Sequence, residues 1–244
     1  MTDLTLAAIR FTDDLPAMQH YLEAMGLAPV VSWGPGMVVL ASGAGQVWLH
    51  SAAGSTQGAP VGCTQLTGLV GDPDALRDQL AEAGFEATIV DEAYGRTVEV
   101  VDPLGEVVTF NDDGDRYGSR PVPGTPDPET GLALCRFTDP AGPYGAFAAA
   151  LGLARLGEEN PWYVPYSAGR GTLGLHTTDG APELPGAELG GAVTLGLVTT
   201  RPLAEIQDRL RDAGLDAGHV VDDEVGSHLV TVDADGQRVL VHAV

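Results

Sequence analysis

Arg10-Phe11-Thr12-Asp13 returns as Arg136-Phe137-Thr138-Asp139, and that recurrence decides how the rest of the chain is read. Gly26-Leu27-Ala28 returns as Gly152-Leu153-Ala154, and Leu49-His50 as Leu175-His176. Val101-Asp102 with Gly105 returns as Val232-Asp233 with Gly236. The offset stays between 126 and 131 residues, far beyond the roughly 20–50-residue period of a solenoid. The two halves are copies of one unit, and their shared interface and their cavities are the places to look for function.

Each half subdivides again. Residues 4–11 read as a strand ending at the helix-capping run Thr12-Asp13-Asp14. Leu15, Met18, Leu22 and Met25 follow at helical spacing, and Gly26 stops the helix. Strands near 28–33, 37–42 and 46–50 come next, separated by Gly34-Pro35-Gly36 and Ser42-Gly43-Ala44-Gly45. The same order then repeats. A strand at 64–70 leads to a helix that opens at Asp72-Pro73, carries Leu76, Leu80 and Ala83, and closes at Gly84. Strands near 86–90, 96–101 and 106–110 follow, the last two joined by Asp102-Pro103-Leu104-Gly105. In the second half helices are expected near 140–151 and 201–213, with a final hairpin turn at Asp233-Ala234-Asp235-Gly236. The connectors 52–62, 113–129 and 179–191 are rich in Gly, Pro and Ser. The middle one, with Pro121, Pro123, Pro126 and Pro128, reads as a semi-rigid linker between a first domain at 1–112 and a second at 130–244.

Composition narrows the function classes. The 244 residues suffice for two ordinary domains, and 44% hydrophobic content supports a real core. No apolar run approaches the roughly 20 residues needed to span a bilayer, and Met1-Thr2-Asp3 does not begin like a signal peptide. The expectation is a cytoplasmic protein with no membrane partner, a monomer or homodimer. A net charge of −22 repels phosphate backbones, so no nucleic-acid partner is expected, while a cationic small molecule would be attracted. All 12 basic residues are arginines, which excludes lysine Schiff-base chemistry. Cys63 and Cys135 lie in apolar segments and read as buried small hydrophobes. No Ser-His-Asp order or nucleophile elbow is present, and Ser167-Ala168-Gly169-Arg170-Gly171, with no helix after it, reads as a hairpin turn.

Four strand-helix-three-strand modules in tandem resemble the vicinal oxygen chelate superfamily, which holds glyoxalase I, bleomycin-resistance proteins, methylmalonyl-CoA epimerases and extradiol dioxygenases. Asp14-Leu15, Tyr21 and Met25-Gly26-Leu27 resemble its first helix. Gly95-Arg96 followed by Asp102-Pro103-Leu104-Gly105-Glu106 resembles its terminal hairpin. The resemblance implies an α+β fold of four βαβββ modules, paired into two cup-shaped domains with helices on the convex side and the ligand in the cup. In family enzymes His, Gln or Glu on first strands and Glu or His on last strands hold a metal that chelates two vicinal substrate oxygens. Those first-strand positions fall here at Ala7 or Ala8, Gln65, Ala133 or Leu134, and about Val193. The last-strand positions fall at Leu49, Thr109, Leu175 and Leu240. Only Gln65 and Thr109 are polar, so neither a metal nor another cofactor is expected.

The remaining candidates are aromatic, acidic or imidazole side chains. Trp33, Trp48, Tyr94, Trp162 and Tyr163, the last two clustered with Tyr166, are candidate walls for a planar ligand, with Gln65 and Thr109 beside them. Arg96 is expected either to anchor its hairpin through Asp102 or backbone carbonyls, or to touch the ligand. Arg10 and Arg136, at identical repeat positions, suggest an inter-module salt bridge, with Glu99 as a partner. His50 and His176 are expected one residue off the inward-facing position, as structural histidines; His20 and His219 are expected on the surface. His242 could face the cup near the C-terminus, and His228 is either a site residue or a supporting residue at the surface. Two readings stay open. One is a metal-free binding protein that sequesters an antibiotic or secondary metabolite, planar or cationic. The other is an isomerase, lyase or cyclase using Arg96, His228, Glu99 or Tyr94 for proton transfer or oxyanion stabilisation. A metal-dependent glyoxalase or dioxygenase is the less favoured third.

Overall fold

A computed structural model describes residues 3–92, 95–114, 118–158, 160–187, 193–223 and 226–244. The first half runs β1 (Leu4–Thr12), α1 (Leu15–Ala24), β2 (Ala28–Ser32), β3 (Met37–Ala41), β4 (Gln46–Ser51), β5 (Thr64–Val70), α2 (Pro73–Glu82), β6 (Ala87–Glu92), β7 (Gly95–Val101) and β8 (Val107–Asp112). After β9 (Arg120–Pro121) the second half runs β10 (Thr130–Phe137), α3 (Tyr144–Ala150), β11 (Ala154–Arg155), β12 (Tyr163–Ser167), β13 (Thr172–His176), β14 (Val193–Thr194), β15 (Gly196–Thr199), α4 (Leu203–Asp212), β16 (His219–Asp223), β17 (Gly226–Val232) and β18 (Arg238–Ala243). This is an α+β chain of four βαβββ modules. Asp14 caps α1 by accepting from the Ala17 N–H at 2.9 Å, and Asp72 caps α2 from Ala75 at 3.0 Å.

Modules pair within each half. The first sheet has the order β6-β7-β8-β5-β1-β4-β3-β2-β9, with β1 antiparallel to β5. The second has the order β11-β12-β13-β10-β15-β18-β17-β16, with β14 also on β10. β9 comes from the proline-rich stretch expected to be a spacer. Its Pro121 and Arg120 pair with Val31 and Ser32 of β2, so the stretch is docked on the sheet edge.

Alternation along the strands gives each sheet a helix-covered face and an open face. Leu4, Leu6 and Ala8 of β1 join Met18, Tyr21 and Leu22 of α1 in one apolar core that continues through Leu132, Leu134, Phe147 and Leu197 of the second half. Ala7, Val39, Trp48 and Leu69 form a separate cluster on the open face of the first sheet.

The repeated residues are what clasp the halves together. Arg10 on β1 reaches across to Asp233 in the β17–β18 turn and lies 3.4 Å from Asp235, while donating to the Gly62 carbonyl and to Thr64 Oγ1. Thr12 Oγ1 donates to Asp235 at 2.7 Å. Arg136 on β10 makes the reciprocal contact, to Asp102 at 2.9 Å and to Glu106 in the β7–β8 turn, with its guanidinium 5.2 Å from the Tyr144 ring centre. Each turn aspartate also accepts two backbone N–H groups: Leu104 and Glu106 donate to Asp102, and Asp235 and Gln237 to Asp233. Both arginines and both aspartates are buried. Burial pushes the Asp233 carboxyl above its usual range, against the pull of Arg10. The expected inter-module bridge is therefore present, but Glu99 takes no part in it. Glu99 alternates with the core residues Val98 and Val100 and so stands on the open face.

A second tie has no copy. Asp127 accepts from Arg201 Nε at 2.6 Å and Arg209 Nη1 at 2.8 Å, while its own N–H donates to the Gly26 carbonyl at 2.9 Å. It joins the proline-rich stretch to α4 and to the end of α1. The Arg201 hydrogen bond, helped by the Glu129 N–H and Arg209, pulls its carboxyl down to about 2 against the cost of burial.

Candidate functional site

The register of the first sheet lays out its open face row by row. Val39, Trp48, Ile9 and Gln65 lie side by side on β3, β4, β1 and β5. The next row runs Gln46, Ala7, Thr67, Thr109 and Glu99 on β4, β1, β5, β8 and β7. One end of the face is thus aromatic and apolar, and the other is hydroxylic and acidic. Trp48, 6% exposed, packs on Ala7, Val39 and Leu69, and its Nε1 donates to Gln46 Oε1 at 3.0 Å. Trp33 and Met37 lean on the same cluster. At the other end Thr67 Oγ1 donates to the Thr109 carbonyl at 2.8 Å, and Thr97 Oγ1 to Asn111 Oδ1 at 2.9 Å. Glu99 is half-buried there, with no ion-pair partner among the described residues. Gln65 is half-buried and lies 3.5 Å from Gln57.

The open face of the second sheet carries different chemistry. The Tyr163 ring lies so close over Gly174 that a Cβ there would come within 2.3 Å of it. Gly174 pairs with Cys135, which pairs in turn with Thr194. Burial pushes the Cys135 thiol up to about 12, with a hydrogen bond to Thr194 pulling the other way. Burial, reinforced by Cys135, also pushes the Tyr163 phenol up to about 12. Both groups stay protonated and are poor nucleophiles. Cys63 is fully buried as expected, whereas Cys135 is only half-buried. Farther along the same face His228 stands directly opposite His242.

Several sequence expectations need correction. Leu49 and Leu175 belong to the helix-covered core, so their neighbours His50 and His176 point to the open faces rather than away from them. Each histidine places Nδ1 2.8 Å from the carbonyl of the next residue and packs beside a phenylalanine, His50 on Phe11 and His176 on Phe137. Arg96 shares the strand face of Val98, toward the helices. It binds Asp74 of α2 at 2.6 Å and lies 3.5 Å from Asp91, so it neither anchors the hairpin through Asp102 nor reaches the cup. The aromatic cluster at 162–166 is split by strand alternation. Tyr166 is core, Tyr163 is on the open face, and Trp162 is 59% exposed outside the strand, so Trp162 walls no cavity. Tyr94 lies outside the described residues. Thr67, Thr97 and Asn111 were missed as floor residues; counting alternate positions from Gln65, Glu99 and Thr109 along their strands would have found them.

The residues present do not fit the metal of the family's enzymes. The open-face residues at the relevant strand positions are Ala7, Trp48, Gln65 and Thr109 in the first sheet, and Ala133, Gly174, Thr194 and Leu240 in the second. None is a carboxylate or imidazole, and among the described residues no three His, Cys, Asp or Glu side chains converge on one point. A hollow of about 430 Å³ lies at the junction of α2 and β6, lined by residues such as Phe85 and Thr88.

Known structures match this fold over the whole chain. A Mn(II)-bound glyoxalase from Novosphingobium aromaticivorans is 14% identical, with a TM-score of 0.63 over 100% of this chain and 83% of its own. A catechol 2,3-dioxygenase is 16% identical, with a TM-score of 0.61 over 98% and 86%. Homoprotocatechuate 2,3-dioxygenase from Arthrobacter globiformis is 14% identical, with a TM-score of 0.58 over 98% and 78%. The chain therefore has the fold of these glyoxalase and extradiol dioxygenase structures. No family model matches it, and no curated protein matches it in sequence. Among the described residues no helix is long and apolar enough to cross a membrane.

Proposed function

We propose that this chain binds a small organic molecule on the open face of its first sheet, without a metal at the family's positions. The observation that carries the reading is the polarity of that face: Trp48 and Trp33 at one end, and Glu99, with no cation partner among the described residues, at the other. The two ends are four strands apart, on the order of 19 Å along the sheet and less across a curved cup. A ligand meeting both has a flat apolar part against the tryptophans and a cationic group toward Glu99. The chain's net charge of −22 would speed capture of such a cation. Sequestration of an antibiotic or secondary metabolite is the biological role that suits such a binder.

The test is titration with a planar cationic dye, acridine orange, followed by tryptophan fluorescence. Quenching of the native protein is expected. Trp48→Ala should abolish binding, and Glu99→Gln should weaken it about tenfold, the worth of one charge-assisted contact. Equal affinity in both variants would rule the face out.

A further inference from the structure

The second open face holds an imidazole pair that the proposed ligand site does not use. His228 of β17 and His242 of β18 are direct partners across an antiparallel ladder. Their ring centres are 5.4 Å apart and their planes inclined by 36°. Directly opposed residues have Cβ atoms about 4.5–5.5 Å apart, so backbone register brings the rings together. His228 is 5% exposed, and its Nδ1 is buried without a hydrogen-bond partner. Its row-mates on either side of the pair, Val221 and Val198, have no polar side-chain atom to offer it. Burial and the neighbouring His228 hold His242 below the ordinary histidine range, against the opposing pull of Asp223.

We propose that His228 and His242 form a two-histidine site for a divalent transition-metal ion of the imidazole-preferring class: copper(II), nickel(II) or zinc(II). Two metal–nitrogen bonds of about 2.0–2.1 Å at ordinary coordination angles put imidazole centres about 4.5–5.5 Å apart. The observed 5.4 Å falls inside that range. No third His, Cys, Asp or Glu among the described residues joins the pair, so water or an exogenous ligand completes the shell and the ion exchanges readily. The site also differs from the family's arrangement, because His228 sits on the third strand of its module rather than the first or last.

Copper(II) is the probe, since imidazole sites bind it most tightly among the divalent ions of its row. It is titrated into the full chain at neutral pH and followed by electron paramagnetic resonance. The expected first equivalent shows coupling to two imidazole nitrogens. His228→Gln and His242→Gln should each remove that two-nitrogen signature and weaken the first equivalent by about tenfold or more, as even outer-sphere changes do at metal sites. His176→Gln, on the same face, should leave it intact. A spectrum without two-nitrogen coupling, or one unchanged in either variant, overturns the proposal. Because His228 is buried and its variant could fold poorly, the thermal midpoint in nickel(II) gives a second readout. The midpoint should rise for the native chain and not for His242→Gln. An equal rise in both sinks the site. Neither readout depends on what the first open face binds.

Discussion

The two open faces of this molecule differ far more than the two contacts that join its halves. Arg10 with Asp233 and Arg136 with Asp102 are near-replicas: each arginine sits on a first strand, and each aspartate in a terminal hairpin turn where it also accepts two backbone N–H groups. The faces share little. The first presents Trp48, Thr109 and Glu99; the second presents Tyr163, Cys135 and the pair His228–His242. A buried ion pair tolerates no change in one partner, because the other is left as an uncompensated charge in the interior. The open-face residues take no part in these ion pairs, so that constraint does not act on them. The duplication is legible where chemistry forbade drift.

The largest effect that could break this comparison is on the clasps. Arg136→Met or Arg10→Met should each destabilise the chain by about 3–5 kcal/mol in chemical denaturation, the usual cost of stranding one member of a buried pair. Losses below about 1 kcal/mol, the range of exposed pairs, would mean that the apolar core alone holds the halves together. The next effect separates a buried face residue from an exposed one. Trp48→Ala should cost about 3 kcal/mol as a large-to-small change in a packed cluster, whereas Trp162→Ala should stay within about 0.5 kcal/mol. Similar losses would contradict the assignment of Trp48 to a packed floor and Trp162 to solvent.

The smallest effect concerns Asp127, which has no repeat counterpart. Its carboxyl is pulled down to about 2 in the folded chain, against about 3.9 when unfolded. Between those values the unfolded state binds more protons, so this contribution to stability is present above about pH 4 and fades as the pH falls toward 2. Asp127→Asn should lower stability at neutral pH and flatten the loss over that acid interval. An acid limb identical to that of the native chain would show that the Arg201 and Arg209 contacts contribute nothing to joining the halves.

Much of the fold was readable because its signals are local. Asp14 and Asp72 cap the first two helices where capping chemistry places them, and β5 spans the same residues 64–70 that the sequence suggests. The face assignments were harder, since a side chain's direction on a strand depends on a register that one residue reverses. Reading Leu49 and Leu175 as inward-facing put His50 and His176 on the wrong side. Arg96 was misread for a related reason. Its partner Asp74 lies 22 residues away on the helix that covers the sheet, and no local pattern announces that contact.

By itself, the sequence determined the duplication and the four modules, because periodicity, caps and turns are written along the chain. Only the tertiary structure decided which modules pair, that Arg10 meets Asp233 across 223 residues, and that His228 stands against His242. Those contacts depend on strand register and on how two halves meet, and both are set by burial summed over the whole core rather than by any local stretch of residues.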